Sequence, residues 1–373
     1  MKRLCRSVSF ALFFLLLGIL PALHAQEGRY DVTVLLPDDS TSARWETDDR
    51  RFLSSAFEMA GVSYTILNAK RSVETQLEQA RTAISNGTKV ILMVNLDSTS
   101  GARIIDLARR AGVWIIDYDR LTIQGRGADF YVSFNNDAVG RLQGEGIVRA
   151  VEEAELSEPV RVALLNGSPT DNNATLYKQG YESVLKPKFD SGAWLKVADE
   201  AVPEWDNDEA YRIFERMLDD NDNRIDAVVA ANDGLAGRVV AALEARNLPY
   251  LPLTGQDATV EAIQNILAGK QSMTVYKAIK AEAEAAAALA VALVKGDDPS
   301  GLVNGITNNG VSEVPSVLLF PIPVTRENIA ETVIADGFRT WEEICVGEFA
   351  QFCPAPYNEA NEAESTPEAT QAP

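Results

Sequence analysis

The chain has 373 residues, 46% hydrophobic and 24% charged, with 54 acidic against 34 basic side chains and a net charge of −20. That length and apolar share fit two globular domains with ordinary cores. The acidity excludes nucleic acid and anionic lipid as main partners, since both would be repelled.

Lys2, Arg3 and Arg6 precede an almost wholly apolar run from Ser9 to Leu20, and Pro21 to Ala25 ends on a small residue. Residues 1–25 read as a secretory signal peptide, because the run is too short to span a bilayer comfortably. A retained anchor is the alternative. Cys5 lies ahead of the apolar run, the wrong place for a lipoprotein cysteine. Cleavage after Ala25 removes three basic side chains and no acid, taking the net charge from −20 to −23. The mature chain is expected in the periplasm or at the extracellular face.

From there, short apolar runs alternate with stretches of helical spacing. Strands are predicted at Tyr30–Leu36, Ser63–Leu67, Lys89–Val94, Val113–Tyr118, Phe130–Phe134, Val160–Leu165, Lys196–Val202, Ala227–Ala230, Leu251–Gly255 and Met273–Tyr276. Helices are predicted at Arg50–Ala60, Val73–Ser85, Ala102–Ala111, Ala174–Leu185, Asp208–Leu218 and Leu235–Ala245. Ala278–Lys295 reads as a long, well-buried helix ending at Gly296. Such regular alternation gives an α/β fold with parallel sheets covered by helices on both faces.

Gly125-Arg-Gly127 reads as a surface turn. Among the tryptophans, Trp114 falls inside a strand and is expected in the core, Trp194 and Trp341 in partly buried surface packing. Residues 346–373 make a cysteine loop and an acidic tail, and the composition of 356–373 predicts disorder. In an oxidising compartment Cys345 and Cys353 would close a small loop worth about 2–3 kcal/mol; two unpaired thiols are the alternative.

The only histidine, His24, lies in the predicted signal peptide. Its loss removes Ser-His-Asp and Cys-His catalysis and the usual zinc chemistry together. The sequence also lacks a Gly-x-Ser-x-Gly elbow, a Walker A loop and a Gly-x-Gly-x-x-Gly after a strand. No metal or cofactor and no enzymatic activity are expected, with paired-carboxylate catalysis left as an alternative.

In open parallel sheets, ligands bind beyond the carboxyl ends of strands. There the chain places Asp38-Asp39 with Arg44-Trp45, Asn95 and Asp97, Asp119-Arg120, Asn135-Asn136, Asp171-Asn172-Asn173, Asn232-Asp233, Gln256-Asp257 and Lys277. Any one Asp or Asn could equally cap a helix or hold a turn. Together they suit a neutral polyol. Carboxylates accept hydroxyl protons while Arg, Lys and Asn donate to the lone pairs, and charged partners contribute about 1.5–3 kcal/mol per bond. Trp45 and Trp205, both in loop contexts, could bracket the apolar face of a sugar ring.

The ordered set of segments resembles the type I sugar solute-binding family of bacterial ABC importers, and within it the periplasmic xylose-binding proteins. It is carried by Asp38–Trp45, Tyr118–Arg120, Ser133–Asn136, Gly167–Ala174, Ala231–Asp233, Gly255–Ala258, Met273–Lys277, Asn308–Gly310 and Val314–Ser316. It covers roughly residues 30–340. The family pattern has Asp-Asn where this chain has Asn135-Asn136, and Pro where it has Ala278. By this resemblance Arg44, Asp119, Arg120, Asn173, Asn232, Asp257 and Lys277 bond sugar hydroxyls, with Asn136 a further candidate, and Trp45 and Trp205 stack.

The resemblance also implies two similar doubly wound, Rossmann-like lobes joined by three hinge crossings, near Ser133–Asn136, Thr274–Lys277 and Thr307–Asn309. The first lobe would hold 29–133 and 277–306, the second 134–276 and 307–345. The implied function is a monomeric receptor that delivers D-xylose, or another pentose or hexose, to an ABC permease and its ATPase. A module presenting sugar to a chemoreceptor or sensor kinase is the alternative. A sugar-responsive repressor shares the fold class, but the signal peptide, the acidity and the lack of an N-terminal helix-turn-helix argue against it.

Overall fold

The computed structural model describes residues 29–39 and 41–357, so the predicted signal peptide and nearly all of the acidic tail lie outside the described residues. Every predicted strand has a counterpart. The first half runs β1 Val32–Leu36, α1 Asp48–Ala60, β2 Tyr64–Asn68, α2 Val73–Ser85, β3 Val90–Met93, α3 Ser98–Arg110, β4 Trp114–Tyr118, β5 Phe130–Phe134 and α4 Asn136–Glu153. The second runs β6 Val160–Asn166, α5 Asn172–Asp190, β7 Trp194–Ala201, α6 Asn207–Asp220, β8 Ala227–Ala230, α7 Asp233–Ala245, β9 Leu253–Thr254, α8 Val260–Leu267, β10 Thr274–Tyr276 and α9 Ile279–Lys295. Three further strands, β11 Gly305–Asn308, β12 Glu313–Leu319 and β13 Ile322–Val324, and the short helix α10 Trp341–Ile344 follow.

The strands form a seven-stranded sheet in the order β11-β12-β5-β4-β3-β1-β2, a four-stranded sheet β7-β6-β8-β9, and a two-stranded pair β10-β13. Both larger sheets are parallel except for β11, which runs against β12. Strands buried on both faces need continuous apolar runs, and Val-Thr-Val-Leu-Leu of β1 and Val-Ile-Leu-Met of β3 are buried at every position. Each sheet has its own core. Leu53 and Phe57 of α1 and Leu289 of α9 cover the first, and Tyr181, Phe214 and Val239 cover the second. Helices α4 and α5 touch backbone to backbone: a Cβ on Gly140 would lie 2.0 Å from the Tyr177 carbonyl oxygen, and one on Gly180 2.3 Å from that of Asp137.

Three expectations need correction. The third crossing is not at Thr307–Asn309. Because β12 pairs with β5 and β13 with β10, residues 307–319 belong with the first sheet, and the chain crosses between Leu319 and Ile322. Trp114 is 46% exposed, because it is the first residue of β4 and stands at the amino end of that interior strand. Trp194 is 2% exposed and sits in the second core, because β7 begins beneath the end of α5. Near the C-terminus a disulfide joins Cys345 to Cys353, with their Cα atoms 6.0 Å apart, and Cys353 packs with Val333, Phe338 and Ile344.

Candidate functional site

Loops from the carboxyl ends of both parallel sheets converge on one cavity. Its walls are Thr41, Ser42, Arg44, Trp45, Asp119 and Arg120 from the first sheet's side, and Asp171, Asn173, Tyr177, Trp205, Asn232, Gln256 and Asp257 from the second. Lys277 enters from the segment after β10.

Arg44 is buried and its guanidinium is held on three sides. Nε and Nη2 donate to Asp49 at 2.8 and 2.9 Å, Nη2 also to Glu282 at 2.8 Å, and Nη1 to Asp119 at 2.7 Å. Guanidinium has five N–H groups, and these bonds use four. The fifth, on Nη1, is left for an acceptor in the cavity. Burial raises the carboxyls of Asp49 and Glu282 above the usual range, Glu282 well above it, despite the Arg44 charge beside them.

Asp119 sits where the backbone leaves β4, with φ 61 in the left-handed region that disfavours a side chain. Burial would raise its carboxyl, but Lys277, Arg44 and Arg120 hold it well below the usual carboxylate range. For Lys277 the burial penalty is overcome by Asp119, Tyr177 and Asp257, which keep its ammonium charged above the ordinary lysine range. Lys277 Nζ lies 3.4 Å from Asp257 Oδ1, within ion-pairing distance but without hydrogen-bond geometry. Asp257 Oδ1 is therefore a buried acceptor with no hydrogen-bond donor, as is Gln256 Oε1. Such atoms are costly unless something donates to them.

Asn232 has two roles at once. Its Oδ1 caps α7 by accepting the Leu235 N–H at 2.9 Å, which leaves its amide hydrogens for the cavity. Asp171 caps α5, accepting the Asn173 N–H at 2.9 Å, accepts from Trp205 Nε1 at 3.1 Å, and forms an ion pair with Arg120, whose Nε lies 3.0 Å away. Asn173 reaches across to donate to the Asp119 backbone oxygen and Oδ1 at 3.0 and 3.1 Å. Trp205 lies flat on Gly167, where a Cβ would fall 2.0 Å from the ring, so only glycine allows that approach. The face of Trp45 is covered by the Arg44 guanidinium, 4.3 Å from the ring centroid.

The arrangement offers buried acceptors (Asp257, Gln256), donors (Arg44, Lys277, Asn232) and an aromatic wall (Trp205) in one small space. A larger groove on the second sheet's flank, with Glu145, Arg149, Tyr250 and Arg326 among its exposed lining, is separate from it. Among the described residues no group of His, Cys, Asp and Glu could hold a metal ion, and no helix is long and apolar enough to cross a membrane.

The periplasmic binding protein domain matches residues 33–298. The chain belongs to that family. This periplasmic binding protein is 38% identical over 324 residues to the D-xylose-binding periplasmic protein of Escherichia coli strain K12, covering 87% of this chain and 94% of that one. It is 38% identical over 331 residues to the D-xylose-binding periplasmic protein of Haemophilus influenzae, covering 88% and 97%. Among solved structures it resembles an ABC transporter solute-binding protein from Clostridium phytofermentans with bound β-D-glucose. That match has a TM-score of 0.78 and 29% identity, and covers 84% of this chain and 99% of the other.

Nine of the ten residues proposed from sequence line the cavity of this periplasmic binding protein. Asn136 does not. It stands behind the wall and donates to Asn173 Oδ1 at 2.9 Å, because it points inward from the first turn of α4 while Asn135 caps that helix. Asp49, Glu282, Tyr177 and the Tyr118 hydroxyl, which donates to Asp49 at 2.6 Å, were missed. Tyr177 carried a usable signal, since it lies four residues after Asn173 on the same face of α5.

Proposed function

We propose that this protein is an exported receptor that binds D-xylose, or a closely similar monosaccharide, between two lobes and hands it unaltered to an ABC permease and its ATPase. The observation that carries the reading is the buried Asp257 Oδ1, ion-paired with Lys277 but without a hydrogen-bond donor, beside the remaining Arg44 donor. Acceptor and donors side by side match hydroxyl groups, which offer both. The two relatives named for D-xylose support the choice of sugar. In this reading residues 29–134 and 278–319 make the first lobe and 135–277 and 320–345 the second, and the chain acts as a monomer. Closure of the two around the sugar follows the hinge motion of such receptors.

Calorimetric titration of the mature protein with a panel of pentoses and hexoses is the test. One D-xylose bound per chain and no product formed is the expected result. Another sugar binding at least tenfold tighter, about 1.4 kcal/mol, would overturn the assignment to xylose, and turnover would overturn the receptor itself.

A further inference from the structure

Behind the cavity, one buried carboxylate ties together the two segments that carry Asp257 and Lys277. Asp233 occupies the first turn of α7, 3% exposed, and is not part of the cavity wall around those two residues. Its Oδ1 accepts from Thr274 Oγ1 at 2.8 Å and Gln271 Nε2 at 3.1 Å, and its Oδ2 from the Thr259 N–H at 3.0 Å. Thr274 begins β10, three residues before Lys277. A hydroxyl has a single proton, and Thr274 directs it at Asp233, so its lone pairs face the other way. There they accept the N–H of Ala258 at 3.3 Å.

That bond falls where the backbone needs it. Asp257 and Ala258 have φ of 108° and 51°, in a region where a Cβ is crowded and the conformation persists only if the surroundings impose it. Asp257 donates its own N–H to the Val275 oxygen at 2.9 Å, so both strained residues are fixed to β10, and Thr259 behind them is fixed to Asp233. Gly255 completes the arrangement. A Cβ there would lie 2.1 Å from Asp233 Oδ1, so the carboxylate can close over this loop only above a glycine.

We propose that Asp233 and Thr274 are a positioning pair, a carboxylate–hydroxyl relay that holds the Asp257 carboxylate beside Lys277 at the ligand site. The inference rests on the reading that Asp257 bonds the sugar.

The test is a mutant cycle on the full mature chain, read by D-xylose titration and by the melting temperature without sugar. Thr274→Val keeps the shape and removes the hydroxyl, Thr274→Ser keeps the hydroxyl, and each is also made with Asp257→Asn. Thr274→Val should weaken binding about tenfold or more, and Thr274→Ser should stay within about threefold of wild type. On the Asp257→Asn background, Thr274→Val should add no more than about twofold, because residues acting through one another are not additive. Equal loss on both backgrounds, or binding by Thr274→Val within about twofold of wild type, would overturn the proposal. If Thr274→Val does not fold, Gly255→Ala displaces the Asp233 carboxylate with the hydroxyl intact, and the same two outcomes decide. A wild-type chain that binds no monosaccharide overturns the sugar reading and this inference with it. Wild-type binding with unaffected variants overturns this inference alone.

Discussion

Replacing Asp257 by Asn tests the site most directly. The side chain is 6% exposed, its Oδ1 has no hydrogen-bond donor, and Lys277 Nζ stands 3.4 Å away. Asparagine keeps the size but exchanges an acceptor for a donor, so a sugar hydroxyl would meet an amide hydrogen. Mispairing a buried polar group costs about 1–3 kcal/mol, which is roughly a five- to 150-fold loss of affinity. Stability without sugar should barely change, because Lys277 keeps Asp119 as a partner at 3.4 Å and asparagine tolerates positive φ. Calorimetry with D-xylose and a thermal melt of the sugar-free protein measure the two quantities separately. Affinity within twofold of wild type, or a drop in melting temperature large enough to account for the loss, would refute the assignment of Asp257 to the ligand.

Trp205→Ala should weaken all pyranoses together, and Gly167→Ala should do the same by pushing the ring off its seat; selective loss of one sugar would contradict the stacking role. Buried Asp117 and Asp233 are both pushed up to about 7 by burial, against ordinary bonds from Thr122 and from Thr259 and Thr274. Their raised values mean the folded state holds protons that the unfolded chain releases above about pH 4. Stability should therefore rise as pH falls from 8 to 5, by up to ~1.4 kcal/mol per group per pH unit. A melting temperature that is flat or falls across that window would refute it. Reducing the Cys345–Cys353 bridge, which spans eight positions, should cost about 2–3 kcal/mol of stability and leave affinity unchanged. A large affinity loss would place the C-terminal end in the ligand site.

The strands were legible wherever an apolar run was unbroken. β12 and β13 escaped because Pro315 and Pro323 interrupt them, and proline within a run argues against a strand. That omission moved the third crossing by a dozen residues. In the site, polar residues after strands could be recognised because loops seldom concentrate so many acids and amides by chance. Glu282 could not. It shares an Ala/Glu-rich helix with Glu284, and only tertiary packing makes one fully buried against Arg44 and the other exposed. Asn135 and Asn136 are equally alike in sequence, and one turn of backbone geometry decides which caps and which points inward.

The three connecting segments are joined sideways as well as end to end. The Asn135 N–H bonds the Leu319 oxygen at 2.9 Å, linking the first to the third, and β10 pairs with β13 through Thr274–Val324 and Tyr276–Ile322, linking the second to the third. Together they form one ribbon with the last connector in the middle. Sliding one half of the molecule past the other would shear these bonds, whereas swinging it about an axis across the ribbon keeps their lengths.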